Sequence, residues 1–270
     1  MQQAVIMDVH DLPSGINRLL FQQTGFQNRS MGKPCEDVIF TRETPELCFW
    51  GLADGQSGAR YGAQGGQACL KALETLLRET GLGGLLDHPF PDELPCKLMK
   101  TIRGSILSLC RTQGGEFRDY ASTVLAMAMA PATGRYALAH LGDGCAVGIG
   151  KDGALTMLSA PENGPVSVHH TWLTTSDNAV AHLRLRFGCF SENARVILMT
   201  DGVKQLSRGK NIPRQAKEKL THGSLADIAA YLRESDPLDD ASCIVLDRTH
   251  PCTPSHPEDG GYHPDAGIGR

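Results

Sequence analysis

Asp54, Asp143 and Asp201 share one context: each ends an apolar run and is followed by glycine, in "CFWGLADG", "ALAHLGDG" and "ARVILMTDG". Two acidic pairs have the opposite polarity, Glu36-Asp37 before "VIF" and Asp239-Asp240 before "ASCIVL". Acids that enter or leave strands at one end of a sheet can meet in space while lying far apart in sequence. Gathered without bases they repel one another, so their convergence is costly unless cations sit between them. Ligation by carboxylate oxygen, completed by water and a backbone carbonyl, suits Mg2+ or Mn2+ rather than zinc. Gly55 would let its carbonyl point at such an ion, because no Cβ obstructs an unusual backbone angle. Each Asp-Gly taken singly is also a turn signal. "KDG" at 151–153 is read as a turn and Asp259-Gly260 as uninformative. The residues alone leave a turn and a metal site as alternatives.

The elements that must carry these acids can be read from periodicity. "DVIFTR" (37–42) and "LCFWGLAD" (47–54) are strand-like and joined by a short polar link. From Ala59 to Glu79 the apolar period becomes helical, with Gly62, Gly65 and Gly66 near its start implying close packing there. A second helix is expected from Asp92 to Cys110, closed by Gly114-Gly115. Short strands follow over 121–130, 135–141, 144–150 and 153–158, then around 171–175, 180–187 and 195–200. A helix near 224–234 and a strand over 241–247 complete the ordered part. Strands joined by short turns favour antiparallel sheets with helices packed outside, an α+β class, over a parallel doubly wound fold. Residues 1–20, with Pro13 and Gly15, read as an irregular lead-in to a single domain over 21–248. Residues 249–270, rich in Pro, Gly and His, read as a disordered tail.

The totals narrow the function classes. A chain of 270 residues can bury a substantial core. A net charge of −4 without a basic run argues against a general nucleic-acid binder. The nine cysteines are dispersed with no CxxC pair, so they read as reduced core residues rather than disulfides or structural zinc ligands. "STVLAMAMAPA" is too short to cross a membrane, and the N-terminus lacks a basic region followed by an apolar one. A soluble, cytoplasmic protein without membrane partners is expected. The glycines of 55–66 match neither GxxxxGK[ST] nor a GxGxxG that follows a strand, which excludes that route to nucleotide binding.

In order along the chain, "GKPCEDVIF" (32–40), "GLADGQSGARYGAQGG" (51–66), "YASTVLAM" (120–127), "LAHLGDGCAVGI" (138–149), "LSAPENG" (158–164), "VILMTDGVKQL" (196–206) and "DDASCIVL" (239–246) resemble a metal-dependent type 2C serine/threonine protein phosphatase (PPM family), compact bacterial branch. The likeness spans about residues 25 to 247. It implies a four-layer αββα sandwich, with two antiparallel sheets flanked by helices and two Mg2+ or Mn2+ ions at one end. Carried over by motif, Asp54 bridges both ions and the Gly55 carbonyl binds one, while Asp201 and Asp239 hold the other. Asp37 acts directly or through water, with Glu36 second to it. Asp239 matches the ligand position better than its alternative, Asp240. Asp143 matches a position that in some relatives helps bind a third, weaker ion. Asp37, Asp54 and Asp201 are the expected catalytic acids, acting through metal-bound water.

The implied reaction is hydrolysis of phosphoserine or phosphothreonine in proteins by a hydroxide bridging the two ions, whose charge also neutralises the phosphoryl oxygens. A Ser/Thr protein kinase is the implied antagonist. Gln56 stands where eukaryotic relatives often place a His, and it can donate a hydrogen bond but not a proton. Arg29 and Lys33 are candidates for the substrate phosphate, each weighed against a surface role. Ser122 and Thr123 follow a family pattern that backbone-satisfying hydroxyls explain equally well. His140, Trp50 and Trp172 are assigned to packing, and His169 and His170 to an exposed connection. The alternative function is a catalytically silent relative that binds a kinase or phosphoprotein; the four acids Asp37, Asp54, Asp201 and Asp239 argue against it.

Overall fold

Strand β4 (Cys48–Asp54) is apolar at nearly every position because it is buried on both faces. Its side chains alternate: Phe49 and Ala53 face helices, while Cys48, Trp50 and Leu52 face a second sheet. In the computed structural model, which describes residues 6–11, 15–87, 91–163, 171–206 and 213–248, this strand sits within a five-stranded sheet. The sheet's order is β3 (Asp37–Glu43), β4, β5 (Val124–Met129), β6 (Arg135–Leu141) and β9 (Arg184–Cys189). The facing six-stranded sheet runs β1 (Ile6–Asp11), β2 (Ile16–Gln23), β11 (Ala241–Arg248), β10 (Arg195–Met199), β7 (Cys145–Ile149) and β8 (Leu155–Ser159). Every pairing in both sheets is antiparallel.

Trp50, Leu52, Met127, Leu198, Ile244 and Leu246 fill the space between the sheets. Outside the five-stranded sheet lie α2 (Gly62–Thr80) and α4 (Leu94–Gln113), which press Leu70, Leu73, Leu98, Ile102 and Ile106 onto it. The outer face of the six-stranded sheet is covered by α8 (Leu225–Glu234), through Leu225, Ile228, Ala229 and Leu232. A capping box starts α8: Ser224 Oγ accepts from the Asp227 amide, and the Asp227 carboxylate accepts from the Ser224 amide. The four layers are helices, sheet, sheet and helix, as expected. The remaining α-helices are α1 (Phe26–Ser30), α3 (Leu82–Leu86), α5 (Ala179–His182), α6 (Asp201–Leu206) and α7 (Pro213–His222).

Several readings need correction. The lead-in is strand rather than irregular: β1 pairs with β2, and β2 with β11, so the sheet begins well before residue 21. Residues 171–175 form no strand; Thr171 makes one isolated bridge to Asn163, and the Thr174 amide donates to the Ser122 carbonyl. The expected strand 180–187 is divided, with α5 ending at His182 and β9 starting at Arg184. Helices α1, α3, α6 and α7 were not anticipated. Residues 249–270, with the tail, and His169 and His170 lie outside the described residues.

Candidate metal centre

In the β3–β4 ladder Asp37 stands directly opposite Asp54. Thr123 grips Asp54 from both sides: its hydroxyl accepts from the Asp54 amide at 2.9 Å, and its own amide donates to the Asp54 carbonyl at 2.8 Å. The next residue, Gly55, donates its amide to the Glu36 carbonyl at 3.1 Å. A Cβ at Gly55 would lie 2.7 Å from the Ala63 nitrogen and 2.8 Å from the Gly62 carbonyl carbon. Close approach of the α2 N-terminus, rather than the unusual backbone angle expected, therefore requires this glycine; its φ is not in the left-handed region. The glycines of α2 continue the contact. A Cβ at Gly65 would meet the Tyr120 carbonyl oxygen at 2.0 Å, and one at Gly66 the Ala53 Cβ at 2.7 Å.

The other acids arrive from different elements. Asp201 opens α6 just after β10, and Asp239 precedes β11. Asp143 lies in the turn from β6 to β7, where Gly142 holds φ 125° and packs on the Thr123 side chain. Asp54, Asp143, Asp201 and Asp239, together with Gln56, Ser57 and Thr123, line one cavity of about 330 Å³, and among the described residues no basic side chain lines it. A groove of about 490 Å³ between α2 and α4 is larger, but small apolar and hydroxyl side chains dominate it. Chemistry, not size, selects the carboxylate cavity.

Its electrostatics follow from crowding. Burial, then Asp37, Asp201, Asp143 and Asp239 in turn, push the Asp54 carboxyl well above the ordinary range. Burial pushes Asp37 up to about 8, and burial followed by Asp201 pushes Asp239 up to about 6. Asp37 Oδ2 accepts from the Thr200 hydroxyl at 2.9 Å, whereas its Oδ1 is buried without a hydrogen-bond partner among the described residues. Among those residues no three His, Cys, Asp or Glu side chains stand in ion-holding geometry. The donor set fits a hard divalent cation: carboxylate and carbonyl oxygens in one cavity, and one buried acceptor, Asp37 Oδ1, without a hydrogen-bond partner among the described residues.

The remaining candidates fall elsewhere. The Arg29 guanidinium donates to the Thr24 carbonyl and pairs with Asp236, so it ties a loop and does not line the cavity. Lys33 is exposed and also absent from the lining. Glu36 Oε2 accepts from Asn28 Nδ2 at 3.4 Å. Asp240 is turned from the cavity into a buried set of hydrogen bonds with Gly25, Asn28 and Glu36. Ser122 is fully buried, its amide donating to the Thr174 hydroxyl. His140 is a packed residue as expected, its Nδ1 within 2.8 Å of Ser159 Oγ. Trp172 stacks on His182 with ring centroids 3.7 Å apart. Sequence reasoning missed Asn28, Ser57 and Thr200; no motif around Asn28 or Ser57 marked them, while Thr200 precedes Asp201 and shared its signal.

A family model described as protein phosphatase 2C matches residues 24–238. The chain therefore belongs to the protein phosphatase 2C family. No curated protein matches its sequence. Among solved structures it is similar to RsbX in complex with magnesium, at 14% identity and a TM-score of 0.61, covering 90% of this chain and 99% of that one. It is also similar to the serine/threonine phosphatase Stp1 from Staphylococcus aureus, at 14% identity and TM-score 0.64, covering 92% and 97%. The catalytic domain of the serine/threonine protein phosphatase PstP, in complex with two manganese ions, gives 19% identity and TM-score 0.55, covering 86% and 97%. At these identities the likeness establishes the fold. Among the described residues no helix is long and apolar enough to cross a membrane.

Proposed function

We propose that this chain is a metal-dependent phosphatase acting on phosphoserine or phosphothreonine in proteins. One observation carries the reading: four aspartates from four separate parts of the chain line one cavity, with no basic side chain among its described residues. Membership of the protein phosphatase 2C family supports it, as do the magnesium and manganese complexes of structurally similar proteins. In this reading Asp54, the Gly55 carbonyl, Asp201 and Asp239 hold two Mg2+ or Mn2+ ions, with Asp143 contributing to a weaker third. When bound, such ions lower the pKa of water toward neutrality and neutralise charge on phosphoryl oxygens.

The chain's own groups supply orientation. Asp37 is not part of the cavity lining; it stands behind Asp54 across the ladder, and Thr200 fixes its carboxylate. Gln56 and Ser57, exposed at the cavity, can donate hydrogen bonds to a phosphoryl oxygen. Neither can act as an acid near neutral pH, so the leaving alkoxide takes its proton from solvent. The partners in this reading are cytoplasmic phosphoproteins, opposed by a Ser/Thr kinase. The catalytic unit takes in β1 and β2 and extends to residue 248. The test is hydrolysis of a phosphothreonine peptide with Mn2+, repeated with chelator and with Asp201→Asn. Activity lost under both conditions supports the reading. A metal-loaded wild type inert toward several phosphopeptides overturns it.

A further inference from the structure

Asp240 is only 3% exposed, and among the described residues no Lys, Arg or His forms an ion pair with it. Its charge is met by N–H donors instead. Oδ1 accepts from the Gly25 amide at 2.7 Å; Oδ2 accepts from Asn28 Nδ2 at 2.9 Å and from the Glu36 amide at 2.5 Å. Charge-assisted bonds of this kind are about twice as strong as neutral ones, which lets them fix chain segments remote in sequence.

What those segments carry is the reason for interest. Glu36 is held between two neighbours: its amide donates to Asp240, and its carbonyl accepts from Gly55. That grip sets where the chain enters β3, and so places Asp37 opposite Asp54. The Asp240 amide donates to Asp239 Oδ1 at 2.8 Å, orienting a cavity carboxylate. A Cβ at Gly202 would lie 2.0 Å from the Asp240 carbonyl oxygen, so the turn that carries Asp201 rests against the same residue. Residue 240 thus touches the segments bearing Asp37, Asp201 and Asp239, and reaches the segment bearing Asp54 through Glu36.

We infer that Asp240 is a positioning residue that holds these four carboxylates in register for divalent metal, without itself ligating it. The inference rests on the metal-phosphatase reading and assigns a role that reading leaves open. Asp240→Asn preserves shape but turns an amide donor toward the donors now bound, so at least one of the three contacts becomes unfavourable. Loss of a residue that orients ligands typically weakens metal binding about 10- to 100-fold.

The experiment is calorimetric titration of Mn2+ into the full chain, its Asp240→Asn variant and an Asn28→Ala variant, with hydrogen exchange at the Gly25 and Glu36 amides. Weaker Mn2+ binding by Asp240→Asn, faster exchange at both amides, and a smaller loss in the same direction for Asn28→Ala are expected. Hydrolysis by Asp240→Asn should recover toward wild type at saturating Mn2+. Unchanged Mn2+ affinity in Asn28→Ala would overturn the inference. So would Mn2+ affinity in Asp240→Asn equal to wild type. If Asp240→Asn does not fold, unchanged affinity in Asn28→Ala still decides against it. A wild type that takes up no Mn2+ removes the metal reading itself, and the inference with it.

Discussion

Asp37 and Asp54 face each other across neighbouring antiparallel strands, two carboxylates at a position where like charges destabilise a sheet. Asp143, Asp201 and Asp239 add to the repulsion felt by Asp54. A fold that keeps such an arrangement gains nothing from it unless positive charge enters the cavity.

Neutralising one member of the pair should therefore stabilise the metal-free protein. Asp54→Asn is expected to raise its stability by on the order of 1 kcal/mol, seen as a higher melting temperature in chelator. The same variant should lose the further rise that Mn2+ gives to wild type. A lower melting temperature in chelator would contradict the repulsion argument.

The pH dependence has a definite sign. Burial raises Asp37 from the ordinary 3.8 to about 8 and Asp239 to about 6. Between the unfolded and folded values the folded state holds protons that the unfolded chain has released. The stability these groups contribute is complete below pH 3.8 and is lost as pH rises toward about 8. Melting of the metal-free protein across that window should show stability falling, and Asp37→Asn should fall less steeply. An equal slope in the two proteins would count against the raised Asp37.

Gly65→Ala sets two effects against each other. Alanine favours a helix over glycine by about 1 kcal/mol, but its Cβ would lie 2.0 Å from the Tyr120 carbonyl oxygen, a backbone atom with little freedom to move. Overpacking of about 1–3 kcal/mol should win, lowering the midpoint of urea unfolding. An unchanged or higher midpoint would mean that α2 shifts freely.

How much of this was legible follows from the kind of signal each element leaves. Strands β4, β5, β10 and β11 are apolar on both faces and read directly from the chain. The hairpin of β1 and β2 did not, because Pro13 and Gly15 lie between the two strands rather than inside either. Thr171 to Thr175 imitates a strand in composition, yet its hydrogen bonds are scattered over Glu162, Ser122, Ser176 and Arg103 instead of running along one neighbouring strand. For the site, acids at strand ends pointed to the cavity aspartates. The choice between Asp239 and Asp240 needed coordinates, since adjacent residues of one strand entry point in opposite directions. Arg29 looked available for a phosphate only because its partners, Thr24 and Asp236, are set by folding.

Gln56 provides a check on the proton source. A true general acid contributes about 10²- to 10⁴-fold, so Gln56→Ala should lower kcat by less than about tenfold if its role is hydrogen bonding alone. The pH–rate profile should keep its shape. A larger loss, or a vanished limb of that profile, would require another account of leaving-group protonation.

The most direct test of the central claim is calorimetric titration of Mn2+ into wild type and Asp54→Asn at neutral pH. The account predicts saturable binding near two equivalents in wild type and loss of the tighter component in the variant, with both proteins folded. No binding in wild type, or the same isotherm for both, would contradict it.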